Sequence, residues 1–138
     1  MNTSGHAPIF SKGEKASPDY FTGNAFVNML VAKDPTGNYA VADVMFEAGS
    51  RNNWHRHPAG QILLATVGKG LYQEKGKPAR FLNPGDVVVI PAGVVHWHGA
   101  TRDSSFTHIA ITNQTSKGGV EWLERVGEEE YIRANDEH

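Results

Sequence analysis

The stretch Asn52–Gly68, "NNWHRHPAGQILLATVG", decides how this sequence is interpreted. His55 and His57 stand two positions apart, and a strand places such residues on one face with side-chain roots roughly 6–7 Å apart, so that both imidazoles can reach one ion. Gln61 follows the turn-like "PAG", and its amide oxygen could approach the same ion. Because a carboxylate is the oxygen donor to be expected here, three interpretations stay open: a metal site that has lost its acid, one tuned by an amide, or no site.

A second pair of histidines follows in residues 85–99, "GDVVVIPAGVVHWHG". His96 offers a third imidazole, His98 stands two positions later, and the Pro-x-Gly turn at 91–93 fixes the chain just before them. With 7 histidines in 138 residues, one His-x-His pair arises easily by chance. A metal site is indicated by the order of these features along the chain: glycine turns, a histidine pair, an oxygen donor and then Pro-x-Gly-His. The terminal His6 and His138 are left out of it.

Length, charge and composition exclude several classes of function. A chain of 138 residues suits one domain, and a net charge of -2 with a pI near 6.4 argues against nucleic acid or an anionic membrane as partner. The lack of cysteine excludes disulfides, thiolate ligands and a cysteine nucleophile. No apolar run is long enough for a signal peptide or a membrane span. We therefore expect a soluble, cytoplasmic protein that acts on a small molecule.

The chain is organised as short β-type runs separated by glycine and proline. Residues 1–23 are rich in Gly, Ser, Pro and Lys and are interpreted as a flexible N-terminal arm, and residues 24–138 as one β-barrel domain. The runs are "NAFVNMLVA", "YAVADVMF", "ILLATV", "GLYQE", "DVVVIP" and "SFTHIAIT". Their spacing predicts an all-β sandwich or barrel. One short helix is expected within "EWLERVGEEEYIRAN", which Gly127 divides.

Alternation along two of these runs predicts which side chains face inward. In "YAVADVMF" one face carries Ala42 and Val44, and the other carries Asp43, so the first face is expected to line the interior. In "FTHIAIT" the more polar face carries His108 and Thr112. A polar face that contains histidine fits solvent or a functional cavity, and the pattern leaves both open.

The combined spacing resembles that of the cupin superfamily. The first cupin motif matches Gly49, five residues, His55-Arg-His57, three residues, Gln61, six residues and Gly68; the second matches Gly85, five residues, Pro91-Ala-Gly93, two residues and His96. The resemblance implies a single-domain cupin, a jelly-roll or double-stranded β-helix barrel. It also implies that the metal ligands are His55, His57, Gln61 and His96. The family pattern usually has Glu at the position of Gln61 and Asn at that of Ala100.

A narrower resemblance is to the small bacterial cupins that act as manganese-dependent hydroxynitrile lyases. It is carried by "NNWHRHPAGQ", "HWHGA", "FTHIAI" and "GVEWLERV". By this resemblance the late-strand His108 acts as a base beside the metal, and Ala42, Val44 and Thr112 lie along the substrate pocket. It further implies manganese and assembly into a homodimer or a higher homo-oligomer.

The leading functional hypothesis is a metal-assisted lyase that cleaves or forms a C–C bond at a cyanohydrin-like α-hydroxy compound. The metal acts as a Lewis acid on the substrate hydroxyl and His108 accepts its proton. His98 hydrogen-bonds substrate or leaving group, or is an exposed residue at a strand end. Trp54 and Trp97, next to the ligands in sequence, are expected to be packing residues. The alternatives are a cupin dioxygenase with iron or copper and a non-catalytic small-molecule-binding metal cupin.

The ligand types constrain the charge of the site but not the metal. Three neutral imidazoles and an amide leave a divalent ion with its full charge of +2, so it is held less tightly but is a stronger Lewis acid than beside a carboxylate. Manganese is favoured by the resemblance, while Fe, Co, Ni or Zn would also fit the donors. Since imidazoles coordinate only when neutral, the ordinary histidine pKa predicts release of the metal below roughly pH 6.

Overall fold

The fold consists of two sheets of short antiparallel strands and one terminal helix. The computed structural model describes residues 7–32, 37–114 and 118–136. The elements are β1 Glu14–Lys15, β2 Phe21–Thr22, β3 Ala25–Val31, β4 Tyr39–Phe46, β5 Arg51–Asn52, β6 His55–Arg56, β7 Gln61–Gly68, β8 Gly70–Glu74, β9 Arg80–Leu82, β10 Val87–Ile90, β11 His96–Ala100, β12 Phe106–Asn113, β13 Glu121–Trp122 and α1 Glu128–Asp136. The predicted all-β domain with one short C-terminal helix is confirmed.

The six-stranded sheet has the order β1-β3-β4-β12-β7-β10. The second sheet has seven strands, with β13-β6-β11-β5-β2 in order, β8 beside β11 and β9 beside β8. Strands distant in sequence are therefore neighbours: β12 pairs with both β4 and β7. The histidine-bearing β6 and β11 lie side by side in the second sheet, facing β12 of the first. Thus the fold brings three separate histidine segments to one interior.

The inward face predicted for β4 packs in the core, and the polar face of β12, which the pattern left open between solvent and cavity, also lies inside the barrel. Val44 and Phe46 are buried in the core between the sheets, and Ala42 packs against it. On β12, His108 is wholly buried and faces this same interior rather than solvent. Asp43 lies on the opposite face of β4, as expected, yet its side chain is also buried. Desolvation by burial raises the pKa of the Asp43 carboxyl above its ordinary value.

A second core cluster holds the helix against the barrel. Trp54 and Trp97, predicted to be packing residues, lie in this cluster with Tyr131 of α1. The helix begins directly after Gly127, whose N–H donates to the Glu130 carboxylate at 2.8 Å, as in half of a capping box. The buried Arg51 guanidinium donates to the Val126 carbonyl oxygen at 3.1 Å. The docking of the helix therefore relies on a cation inside the protein as well as on apolar packing.

Part of the predicted N-terminal arm is paired with the barrel. Glu14–Lys15 pairs with β3, and Phe21–Thr22 pairs with β5. The division between an arm at 1–23 and a domain at 24–138 stays a prediction. His6 and His138 lie outside the described residues. Among the residues that are described, no helix has the length and apolar character needed to cross a membrane.

The close contact at Gly68 provides a test of the fold. Gly68 has φ +79°, and a Cβ built there would overlap the Ser105 carbonyl oxygen. Gly76 has φ +82° but open space around its Cβ position. We expect Gly76→Ala to cost about 1–2 kcal/mol for the left-handed conformation alone. We expect Gly68→Ala to lower the free energy of unfolding by at least about 2 kcal/mol more, because the strand must shift. Urea denaturation of both variants measures this, and equal losses would contradict the described approach of the β7 end to Ser105.

Candidate metal centre and cavity

The two His-x-His segments meet because β6 and β11 are antiparallel neighbours. Their register places His55 directly opposite His96. The ring centroids of this pair are 4.2 Å apart, those of His55 and His57 are 5.1 Å apart, and those of His57 and His96 are 5.6 Å apart. Gln61 begins β7, after the turn that follows His57. All four predicted ligands are buried.

Backbone carbonyls fix the orientation of the three imidazoles. The Nδ1 of His55 contacts the Asn53 carbonyl oxygen at 2.7 Å, and that of His96 contacts the Val94 carbonyl oxygen at 2.9 Å. The Nδ1 of His57 contacts the carbonyl oxygen of Gly119. A carbonyl oxygen only accepts, so each Nδ1 must carry the hydrogen. In every neutral ring the lone pair is then on Nε2, which is the atom left for a metal.

Several acceptor atoms in this cluster are buried without a partner. The Nε2 of His57, the Nε2 of His96 and the Oε1 of Gln61 make no hydrogen bond to any described residue. The Nε2 of Gln61, in contrast, donates to Thr112 Oγ1 at 2.8 Å. Buried acceptors without a donor are costly, and a cation would satisfy them together. Three imidazole nitrogens and one amide oxygen therefore fit a divalent metal ion.

A second grouping of imidazoles overlaps this set. Ligand nitrogens of His55, His96 and His98 lie within 4.8 Å of one another. However, both ring nitrogens of His98 are 3.3 Å from Asn52 Nδ2, an amide nitrogen that donates, so a lone pair of His98 already has a partner. The Nε2 of His57 has none among the described residues. These contacts favour His57 over His98 as the third imidazole.

His98 and His108 extend the polar cluster away from the proposed ligands. Their ring centroids are 4.7 Å apart with nearly perpendicular planes, and both side chains are buried. His98 is therefore not an exposed residue at a strand end. Neither ring nitrogen of His108 makes a hydrogen bond of good geometry to a described residue. His108 thus has a free acceptor nitrogen beside the cluster.

Burial keeps all five imidazoles neutral. Desolvation is the largest cause in each case: it lowers the pKa of His96 and of His108 to about 4 and that of His57 below its usual range. The pKa values of His55 and His98 lie well below 6.5, where neighbouring imidazoles add to the effect of burial. The carbonyls that hold Nδ1 of His55, His57 and His96 oppose the shift only in part. Neutral rings are the form that binds a cation or accepts a proton.

The cluster opens into a mostly apolar cavity of about 220 Å³. For comparison, an apolar cavity of about 150 Å³ in another protein admits benzene. The residues predicted from the resemblance to line the pocket, Ala42, Val44 and Thr112, all line this cavity, as do His98 and His108. Their roles in binding and catalysis remain predictions.

Other cavity residues were not among the predicted site residues. They are Phe21, Met29, Ala40, Asn52, Ala110, Gln114, Gly119, Val120 and Trp122. The Trp122 ring lies 4.8 Å from that of His55 and stacks on Tyr20 at 4.8 Å, which makes an aromatic wall. Trp122 lies in the stretch within which one short helix was expected, but it belongs to the short strand β13, which pairs with β6. Alternation had placed Ala40 on the inward face with Ala42 and Ala110 on the face of His108, whereas no local pattern points to Trp122.

Comparisons with known proteins identify the family of the domain. The cupin domain model matches residues 42–112. The chain is 40% identical over 119 residues, 86% of its length and 91% of the relative's, to an (R)-mandelonitrile lyase of Granulicella tundricola.

Solved structures show the same fold. A cupin-like protein of Thermotoga maritima has a TM-score of 0.91 at 54% identity, over 96% of this chain and all of that one. A DMSP lyase of Ruegeria pomeroyi has a TM-score of 0.63 at 26% identity, over 80% of this chain and 55% of that one. With a cupin domain model that matches about half of its length and a barrel that matches a cupin-like structure, the chain belongs to the cupin family.

Proposed function

We propose that this cupin is a metal-dependent lyase that breaks or forms the C–C bond between a nitrile carbon and a carbinol carbon. The proposal rests on the environment of His108. This residue is a buried, neutral imidazole with no well-formed hydrogen bond, and it lines the same cavity as His57 and Gln61, whose acceptor atoms are unpartnered. The 40% identical relative named (R)-mandelonitrile lyase supports the same chemistry.

The metal is proposed to be held by His55, His57, Gln61 and His96. A divalent ion bound there would supply Lewis acidity, which lowers the pKa of a substrate hydroxyl. The ion would keep its full charge of +2 because all four ligands are neutral. Manganese is our proposal, with Fe, Co, Ni and Zn as competitors for the same donors. The chain's contribution is three lone pairs oriented by backbone carbonyls and one amide oxygen.

His108 is proposed to move the proton. Its neutral ring accepts the hydrogen of the substrate hydroxyl, the C–C bond breaks, the carbonyl double bond forms and cyanide leaves with the bonding electron pair. The imidazolium then returns its proton to cyanide, so that an aldehyde and hydrogen cyanide are the products. Because burial disfavours the charged ring, this second transfer is favourable. His98 lies beside His108 and is proposed to contact the leaving group.

The walls of the cavity suit an apolar substituent on the carbinol carbon. Ala42, Val44 and Ala110 provide small apolar surfaces, and Phe21 and Trp122 provide aromatic ones. An aromatic aldehyde or its cyanohydrin is therefore the proposed substrate class. A homodimer or higher homo-oligomer and a cytoplasmic location remain predictions.

The lowered imidazole pKa values predict how metal binding depends on pH. With the ordinary pKa of about 6.5, three histidine ligands at pH 5.5 would each be about tenfold more protonated than neutral, which would weaken binding by roughly a thousandfold. Since the pKa of His96 is about 4 and those of His55 and His57 are also lowered, we expect these rings to stay largely neutral and Mn²⁺ affinity to change little from pH 7 to 5.5. This moves metal release to lower pH than the roughly pH 6 predicted from the sequence.

Isothermal titration of metal-free protein with Mn²⁺ at several pH values measures this dependence. Circular dichroism at each pH must show a folded protein, because the unfolded chain takes up protons on these histidines below pH 6.5 and stability falls as pH drops toward 4. A hundredfold loss of affinity by pH 5.5 in folded protein would contradict the described burial of the ligands.

The proposed base is tested by His108→Ala. We expect Mn²⁺-loaded wild type to release benzaldehyde from mandelonitrile and the variant to be at least about 100-fold slower at equal metal content, because a positioned base contributes about that much. Ile109→Val is the matched control, since Ile109 is the next residue of β12 and points to the opposite face. Its rate should remain near that of wild type.

Two outcomes would contradict the proposal. Turnover that survives His108→Ala would remove His108 as the base. Metal-loaded wild type that leaves mandelonitrile intact would argue against the lyase, and oxygen uptake with iron or copper would then test the dioxygenase alternative.

A further inference from the structure

The inference concerns the amide of Gln61 and the hydroxyl of Thr112. The register of β7 and β12 places these two residues directly opposite each other. The Gln61 Nε2 donates to Thr112 Oγ1 at 2.8 Å, across the strand pair. The Oε1 of the same amide is buried and has no hydrogen-bond partner among the described residues. One end of the amide is therefore held and the other end is free.

The free end lies beside His57, whose ring cannot donate to it. The hydrogen of the neutral His57 ring is on Nδ1, which contacts the Gly119 carbonyl, so its Nε2 presents a lone pair. An amide oxygen and this nitrogen together suit a cation. If the amide were reversed, its N–H would donate to His57 Nε2, and both atoms would be lost to the metal.

We propose that Thr112 is the positioning residue that keeps the amide oxygen of Gln61 directed toward the metal. The inference rests on the proposed metal site. It assigns to Thr112 a role besides lining the cavity, since the hydroxyl accepts the amide N–H. A carboxylate at position 61 would offer the metal equivalent oxygens and would need no such anchor. An amide has only one useful end, so a glutamine ligand requires a partner for the other.

Metal affinity of Thr112 variants tests the proposal without turnover. Thr112→Val keeps the shape of the side chain and removes the hydroxyl, so the amide can turn toward His57; we expect Mn²⁺ alone to bind at least about tenfold more weakly, as for other contacts that orient a ligand. Thr112→Ser retains the hydroxyl and should restore affinity close to that of wild type. Isothermal titration of full-length, metal-free protein with Mn²⁺ gives the dissociation constants.

Matched controls separate positioning from a general disturbance. Thr66→Val removes another threonine hydroxyl, on β7, that donates to the Thr107 carbonyl oxygen at 3.1 Å, and it should leave Mn²⁺ affinity unchanged. In a Gln61→Ala background, where no amide needs an anchor, Thr112→Val should have no further effect. Thermal unfolding of the metal-free variants verifies folding, and Thr112→Ala serves as a second hydroxyl-free variant should Thr112→Val be unstable.

Each result supports or overturns the inference. Weak binding by Thr112→Val, rescue by Thr112→Ser and no effect without Gln61 would support it. Wild-type affinity in both hydroxyl-free variants, or an equal loss in the Gln61→Ala background, would overturn it while leaving the metal site intact. A wild type that binds no Mn²⁺ would overturn the proposed metal site, and the inference with it.

Discussion

Five neutral imidazoles inside one small barrel are the constraint on which the rest of the structure depends. Burial lowers the pKa of each, so they contribute lone pairs and not charges. Backbone carbonyls take up the Nδ1 hydrogens of the three proposed ligand histidines. What remains are buried acceptor atoms without a hydrogen-bond donor among the described residues, an arrangement that costs free energy. A divalent cation removes that cost, which is why the cluster is interpreted as a metal centre and not as packing.

The barrel divides this polar interior into two functional parts. His55, His57 and His96 lie at the wall formed by β6 and β11, while His108 approaches from β12 of the opposite sheet. His98 lies between them, 5.4 Å from the His55 ring and 4.7 Å from the His108 ring. In the proposed reaction, a substrate in the apolar cavity would present its hydroxyl to the metal and to the base at once. Charge stabilisation and proton transfer would then come from different strands, each held in place by its own hydrogen-bonded ladder.

Much of this could be predicted because it depends on local periodicity. The i, i+2 spacing placed His55 and His57 on one face, and alternation placed Ala42 and Val44 inward. The resemblance of the motif spacing to that of cupins predicted the fold and implied the four proposed ligands. Whether His108 faced solvent or a cavity was not decided by alternation, because a polar face fits both; the pairing of β12 with β4 and β7 decides it.

The unpredicted features depend on contacts between distant segments. The wall formed by Trp122 arises where β13 pairs with β6, and the local sequence around Trp122 did not predict this pairing. The anchor between Thr112 and Gln61 spans 51 positions. The buried state of Asp43 and the pairing of Glu14–Lys15 with β3 also follow from tertiary packing. Patterns in a single sequence predict which side chains share one face of a strand and where turns occur. They do not predict which strand faces pack against each other.

Anomalous diffraction from a crystal of the Mn²⁺-loaded protein tests the central claim most directly. The account predicts one strong manganese peak within bonding distance of the Nε2 atoms of His55, His57 and His96 and of the Oε1 of Gln61. It also predicts His108 in the same cavity, outside the coordination sphere. A peak bound by His55, His96 and His98 with His57 unused would contradict the proposed ligand set, and the absence of any peak in the barrel would contradict the metal centre itself.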